Sequence, residues 1–217
     1  MNTIIERFFT FIMKEKARSF FAFACYIFFI VMCLEIDLPL ALEIVCLIVY
    51  VFIILFVCPV YIWEWMDEIS ERGRGKIGKN IIKEILMYIP ILLISICITS
   101  FIMIGQPANQ ASIEKSFYEA PILNSIVSII IVPIIEEIIF RFLPYKFIKN
   151  KAVYIIVSAV IFAAMHVIHD PNPFYYIWFY MMKPMYYGYR YHKTKNLLVP
   201  ISMHSLNNLV ATLLFIF

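Results

Sequence analysis

Charge is scarce in this 217-residue chain: Asp, Glu, Lys and Arg together make up only 15% of it. A soluble domain carries about a quarter, and with fewer charges it does not cover its surface. Glycine is also rare, at 5 residues, and proline stands at 11, which excludes collagen-like and low-complexity sequence. The 5 cysteines, Cys25, Cys33, Cys46, Cys58 and Cys97, are odd in number and all lie in apolar runs. They argue against a disulfide framework and read as small buried hydrophobes. The net charge is only +3, so the placement of the charges says more than their sum. What the chain does have is apolar surface, with 63% of its residues hydrophobic and 17% aromatic. That excludes a disordered chain and leaves an integral membrane protein.

A helix crosses the hydrocarbon core of about 30 Å with about 20 apolar residues. Apolar runs between charge clusters predict seven such spans, at roughly 17–34, 38–63, 85–104, 121–140, 152–169, 172–189 and 196–217. The run at 19–34 follows a basic start without a small-residue cleavage pattern, so it reads as a first span rather than a secretory signal. The sixth run is the weakest, because it holds Lys183 and Pro184. Segments 64–84 and 105–120 read as the polar loops. Every basic residue except Lys115 falls before span 1, between spans 2 and 3, around the junction of spans 4 and 5, or near that of spans 6 and 7. Cytoplasmic loops carry the excess of Lys and Arg, so the expected fold is an all-α, polytopic bundle of about seven transmembrane helices with a cytoplasmic N-terminus. It forms a single membrane domain over 1–217, with three N-terminal spans that carry no motif in 1–120 and the catalytic-core spans in 121–217. The basic clusters sit in short loops between spans, which gives no reason to expect a nucleic-acid partner; the bilayer is the partner they imply.

An ionisable or strongly polar residue inside a span marks a functional site by default. Three stretches qualify: Pro133-Ile-Ile-Glu136-Glu137-Ile-Ile-Phe-Arg141, Phe162-Ala-Ala-Met-His166 and His204-Ser-Leu-Asn207-Asn208. Residues four apart share a helix face, which pairs Glu137 with Arg141, Phe162 with His166 and His204 with Asn208. Glu136 is turned about 100° from Glu137 and is free to face a different cavity. At 1.5 Å per residue from the cytoplasmic ends, Glu136, His166, His204 and Asn208 lie about 16, 21, 12 and 18 Å deep. One layer in the inner half of the membrane therefore contains all four, and three spans distant in sequence can meet there.

The residue types narrow the chemistry. No G-x-S-x-G elbow supports a serine nucleophile, and Ser158, Ser202 and Ser205 read as packing residues. The H-E-x-x-H zinc signature is absent. His169 reads as interfacial and His192 as solvated. A water activated by a carboxylate fits better: Glu136 as general base, an imidazole sharing the proton, and a second His with an Asn donating to a developing oxyanion. A metal held by Glu136, His166 and His204 is the alternative, and spacing does not separate the two. A transporter is the third class, but no repeat supports it, although Pro133 and Pro184 could kink their spans.

Glu136-Glu137-x-x-x-Arg141, Phe162-x-x-x-His166 and His204-x-x-x-Asn208, in that order on late spans, resemble the CPBP family (CAAX protease and bacteriocin-processing, also called Abi). All three motifs are intact, over about residues 121–210. The resemblance implies an intramembrane glutamic endopeptidase, a hydrolase that needs no cofactor and opens to the cytoplasm. It gives water activation to Glu136 and His166, the oxyanion pocket to His204 and Asn208, support to Glu137 and Arg141, and packing to Phe162. It implies a peptide or membrane-protein substrate, with bacteriocin processing or immunity, peptide signalling and partner regulation among the roles of bacterial relatives. A non-catalytic immunity or regulatory protein that binds a peptide or partner is the alternative. Abundant Ile and Lys fit an AT-rich genome and a bacterial cell membrane.

Overall fold

The computed structural model describes residues 74–216 together with Ser19, Phe20, Phe23 and Ala24. The chain divides into two units, one of Met1–Arg74 with Leu143–Ile148 and one of Gly75–Phe142 with Lys149–Phe217. In the first, Phe20 and Phe23 rest against Phe147, with ring centroids 5.5 and 5.8 Å apart. The predicted span at 38–63 and most of that at 17–34 lie outside the described residues.

All regular structure among the described residues is helical. The helices are α1 (Arg74–Ile102), α2 (Ala108–Glu119), α3 (Pro121–Ile126), α4 (Val132–Glu137), α5 (Leu143–Phe147), α6 (Lys151–Val167), α7 (Pro173–Thr194) and α8 (Leu198–Ile216). Two π-helical segments, Val127–Ile131 and Ile138–Phe142, lie either side of α4. Ile81–Ile102 is the one helical stretch among the described residues that is long and apolar enough to cross a membrane; Lys151–Val167 and Leu198–Leu214 are apolar but shorter. At 1.5 Å per residue α6 reaches about 26 Å, short of the ~30 Å core. Length and composition thus carry the all-helical expectation but not the count of seven spans.

Local chemistry explains where the helices start and stop. Asn150 caps α6, its Oδ1 accepting from the Val153 N–H at 3.1 Å. At the end of α7, Lys195 adopts a left-handed conformation (φ 53°), and its N–H bonds the Tyr191 carbonyl at 2.8 Å. Asn196 then starts α8 by accepting from the Leu198 N–H at 3.0 Å. Tyr175 and Tyr176, near the start of α7, close the end of α1. Their hydroxyls donate to the carbonyls of Ile102 at 2.9 Å and Ile104 at 3.0 Å, groups that a helix end leaves unpaired. The chain turns away at Gly105 with φ +80°, where a Cβ would come within 2.9 Å of the Tyr176 hydroxyl.

Segment 105–120, expected to be a loop, is mostly helix α2. Its start is held from 62 residues away: Asp170 Oδ1 accepts from the Ala108 N–H at 2.6 Å, a tertiary cap that no local pattern announces. The charged segment 64–84 is also shorter than expected, since α1 begins at Arg74. Glu84 and Arg190, expected in polar loops, are instead buried and paired between α1 and α7. His192 belongs to the last turn of α7 and lies half-buried near Tyr154, with centroids 6.2 Å apart. Burial, then Lys195 and Lys151, lower its pKa. Cys97 is a free thiol on an exposed face of α1, so it is not a core hydrophobe; the other four cysteines lie outside the described residues.

The core joins α1, α7 and α8 through Tyr88, Leu92, Tyr187, Val199 and Met203. On its other side α7 approaches α6 closely at Gly188, where a Cβ would meet Ser158 Oγ at 3.4 Å. Inside the core the hydroxyls of Tyr88 and Tyr187 share a 2.7 Å hydrogen bond. Tyr88→Phe should destabilise the fold by about 1–3 kcal/mol, because it strands the buried Tyr187 hydroxyl. Adding Tyr187→Phe should recover most of that loss. Thermal unfolding of both variants in detergent measures the difference, and equal melting of the single and double variants would contradict it.

Candidate active site

The site is built on the irregular helix between Pro121 and Phe142. Pro133 lacks an amide hydrogen and so cannot complete a helical ladder. The Val132 N–H bonds the Val127 carbonyl, which is an i to i−5 rung. The next rung would join residue 133 to the Ser128 carbonyl, and proline leaves that acceptor open. Asn208 Nδ2, from α8, donates to it instead at 2.9 Å. A proline in one helix thus sets the position of an amide side chain on another. π-Helical segments of this kind are frequent at functional sites.

Glu136 and Glu137 diverge as the helical turn requires. Glu137 is fully buried, and its Oε2 lies 3.2 Å from Nε of the equally buried Arg141. This contact is an ion pair rather than an aligned hydrogen bond, since Arg141 makes no side-chain hydrogen bond among the described residues. The guanidinium also lies 5.1 Å from the centre of the Phe162 ring and 6.0 Å from that of Tyr187, within cation–π range. Glu137 Oε1 is 3.0 Å from His204 Nδ1, so with the carboxylate ionised this nitrogen donates. The opposite nitrogen, Nε2, then points to Glu136 Oε2 at 3.6 Å.

Glu136 receives the second imidazole from α6. His166 Nδ1 donates to the Phe162 carbonyl at 2.8 Å, one turn back on its own helix. In the neutral ring this leaves Nε2 as the acceptor, 3.9 Å from Glu136 Oε1. The separation is too long for a direct hydrogen bond but suits a bridging water. Phe162 stacks on His166 with centroids 4.3 Å apart, and Tyr187 stacks on His204 at 5.6 Å. Both aromatic rings hold the imidazoles in plane.

Glu136, His166, His204, Asn208 and Phe162 all line one cavity of about 690 Å³. Glu137 and Arg141 lie behind it. The seven residues singled out in the sequence therefore come together, five on the cavity and two behind it. Lys183, Asn207, Tyr180 and Tyr187 also line it but had no expected role. Lys183 and Asn207 were visible as polar residues in apolar stretches. Tyr180 and Tyr187 carry no signal beyond aromaticity. Ser158 packs, its Oγ donating to the Ile155 carbonyl at 3.3 Å. Among the described residues no three His, Cys, Asp or Glu side chains gather into a group that could hold a metal ion.

Residues 118–210 match the family model described as type II CAAX prenyl endopeptidase Rce1-like. The matched stretch contains all seven site residues. No curated protein and no solved structure matches the chain. Over residues 118–210 the chain is thus similar to the Rce1-like CAAX prenyl endopeptidases, in line with the resemblance of its three motifs to the CPBP family.

Proposed function

We propose that the chain is an intramembrane glutamic endopeptidase that hydrolyses a peptide bond with a water activated by Glu136 and His166. The observation that carries this reading is one carboxylate flanked by two imidazoles, with His166 Nε2 at 3.9 Å and His204 Nε2 at 3.6 Å from Glu136. A water between Glu136 and His166 gives its proton to Glu136 as its oxygen bonds the substrate's carbonyl carbon. The carbonyl electron pair moves to oxygen. Protonated His204, already donating from Nδ1 to Glu137, offers Nε2–H to that oxyanion, and Asn208 offers its second amide hydrogen. The C–N bond then breaks as Glu136 returns the proton to the leaving nitrogen, giving a carboxyl and an amine. The cavity lies within the ~300–1,000 Å³ of small-molecule sites, room for a short peptide segment.

The same proposal keeps a multi-pass, bacterial cell-membrane protein with a cytoplasmic N-terminus and the catalytic core in 121–217. Mass spectrometry of cellular peptides from cells carrying wild-type or Glu136→Gln protein tests it. A cleavage product present only with the wild type supports hydrolysis. A biological effect that survives Glu136→Gln unchanged would instead favour the binding or immunity role.

Pro133→Ala offers a separate check. It restores an N–H that can take the Ser128 carbonyl, and so frees Asn208 from its anchor. Turnover should fall by as much as the ~10²–10³ that one oxyanion donor contributes, while thermal stability stays the same or rises. Unchanged turnover would remove Asn208 from the oxyanion pocket.

A further inference from the structure

Lys183 stands in the middle of α7, one turn before Tyr187, whose ring stacks on His204. It lines the same cavity as Glu136 and His204. Its Nζ donates to Asn207 Oδ1 at 2.8 Å. Asn207 Nδ2 donates in turn to Asn208 Oδ1 at 3.1 Å, and Asn208 to the Ser128 carbonyl at 2.9 Å. A cation, two amides and a backbone carbonyl thus form one line along the cavity wall.

This half-buried cation is treated differently from the two buried arginines among the described residues. Arg141 is paired with Glu137, and Arg190 with Glu84. Among the described residues no carboxylate is paired with Lys183. An ammonium carries three donors, and Asn207 takes one. A charge without a counter-ion inside a membrane protein is expensive, unless its counter-ion arrives with a ligand. The cavity is where a ligand arrives.

We infer that Lys183 is a specificity-determining residue that reads a carboxylate on the substrate. The inference rests on the peptidase reading of the cavity. Asn207 lies three residues from His204 on α8, about 4.5 Å along the axis. An extended peptide advances about 3.3–3.6 Å per residue. The carboxylate therefore lies about one to two residues from the scissile bond. Two groups offer it: the free C-terminus of the substrate, or an Asp or Glu side chain. A neutral amide in the same place leaves the ammonium without a partner.

The test uses full-length protein in lipid nanodiscs and synthetic apolar decapeptides. One set differs only in ending as a free acid or a carboxamide; the other, all carboxamides, differs only in an internal Asp or Asn. Binding and cleavage are measured for wild type, Lys183→Met and Lys183→Arg. Wild type should bind one carboxylate-bearing peptide at least about tenfold more tightly than its neutral twin. The set in which this occurs identifies the source of the carboxylate. Lys183→Met should erase the difference between acid and neutral twin, and Lys183→Arg should retain it. Wild-type protein that binds acid and amide alike, or binds neither, overturns the inference, as does a preference that survives Lys183→Met. The wild-type comparison decides even if a variant fails to fold. Carboxylate-dependent binding without any cleavage would sink the peptidase reading alone, and cleavage without carboxylate preference would sink the role of Lys183 alone.

Discussion

Glu136→Gln is expected to lower peptide-bond hydrolysis by about 10²–10⁴-fold, the range that a positioned general base contributes. The substitution keeps the side chain's size and its place on the cavity wall, and removes only the group that accepts a proton. Glu136 is half-buried and makes no hydrogen bond through Oε2 among the described residues, so the fold does not depend on its charge. Melting temperature should therefore change little while turnover collapses. His166→Ala should also lose turnover, because Glu136 would then face only His204. The measurement is a discontinuous assay of product by mass spectrometry, run beside a thermal melt of the same preparation. Full activity in a folded Glu136→Gln protein would remove Glu136 from the chemistry.

Arg141→Ala should act through the opposite route, on the fold. Arg141 and Glu137 are both fully buried. Removing one member of a buried pair leaves the other as an uncompensated charge, at about 3–5 kcal/mol. That is a large part of the 5–15 kcal/mol that holds a typical protein folded, so the yield of folded protein should fall sharply. Adding Glu137→Leu to Arg141→Met should recover much of the stability, since well-packed apolar replacements of buried pairs are often neutral or better. Activity should not return with it. Glu137 also holds His204 Nδ1 at 3.0 Å, and without that acceptor only the stacked Tyr187 ring positions the imidazole, with nothing to set its tautomer. Stability without activity in the double variant is the expected signature. Recovery of both would show that Glu137 serves packing only.

The contrast between these two carboxylates was partly legible in the sequence. A step of one residue turns a helix by about 100°, which separates Glu136 from Glu137, and a step of four brings Glu137 to Arg141. Periodicity within one helix needs no knowledge of the rest of the molecule. The same is true of the Phe162–His166 and His204–Asn208 faces, and depth along each helix placed the four polar residues in one layer. Local pattern was less informative wherever a distant group closes a helix end. Residues 105–120 look polar enough for a loop, yet Asp170 caps α2 there. Arg190 looked like a loop cation, yet Glu84 takes it into the core.

Composition and spacing by themselves pointed to an apolar, all-helical chain and to seven candidate site residues. Each follows from burial cost or from helical geometry, which act within a short stretch of chain. Only the tertiary structure decided how those residues meet: two imidazoles on one carboxylate, the Ser128 carbonyl held by Asn208, and Lys183 in the cavity with Asn207 as its partner. These contacts join residues 24 to 80 positions apart. Their geometry depends on how helices pack, and in one case on a proline that withholds a hydrogen bond. The scarcity of charge that marks the sequence takes its full meaning there. Among the described residues the buried cations Arg141 and Arg190 each have a carboxylate beside them, and Lys183 lines the cavity with an amide as its partner.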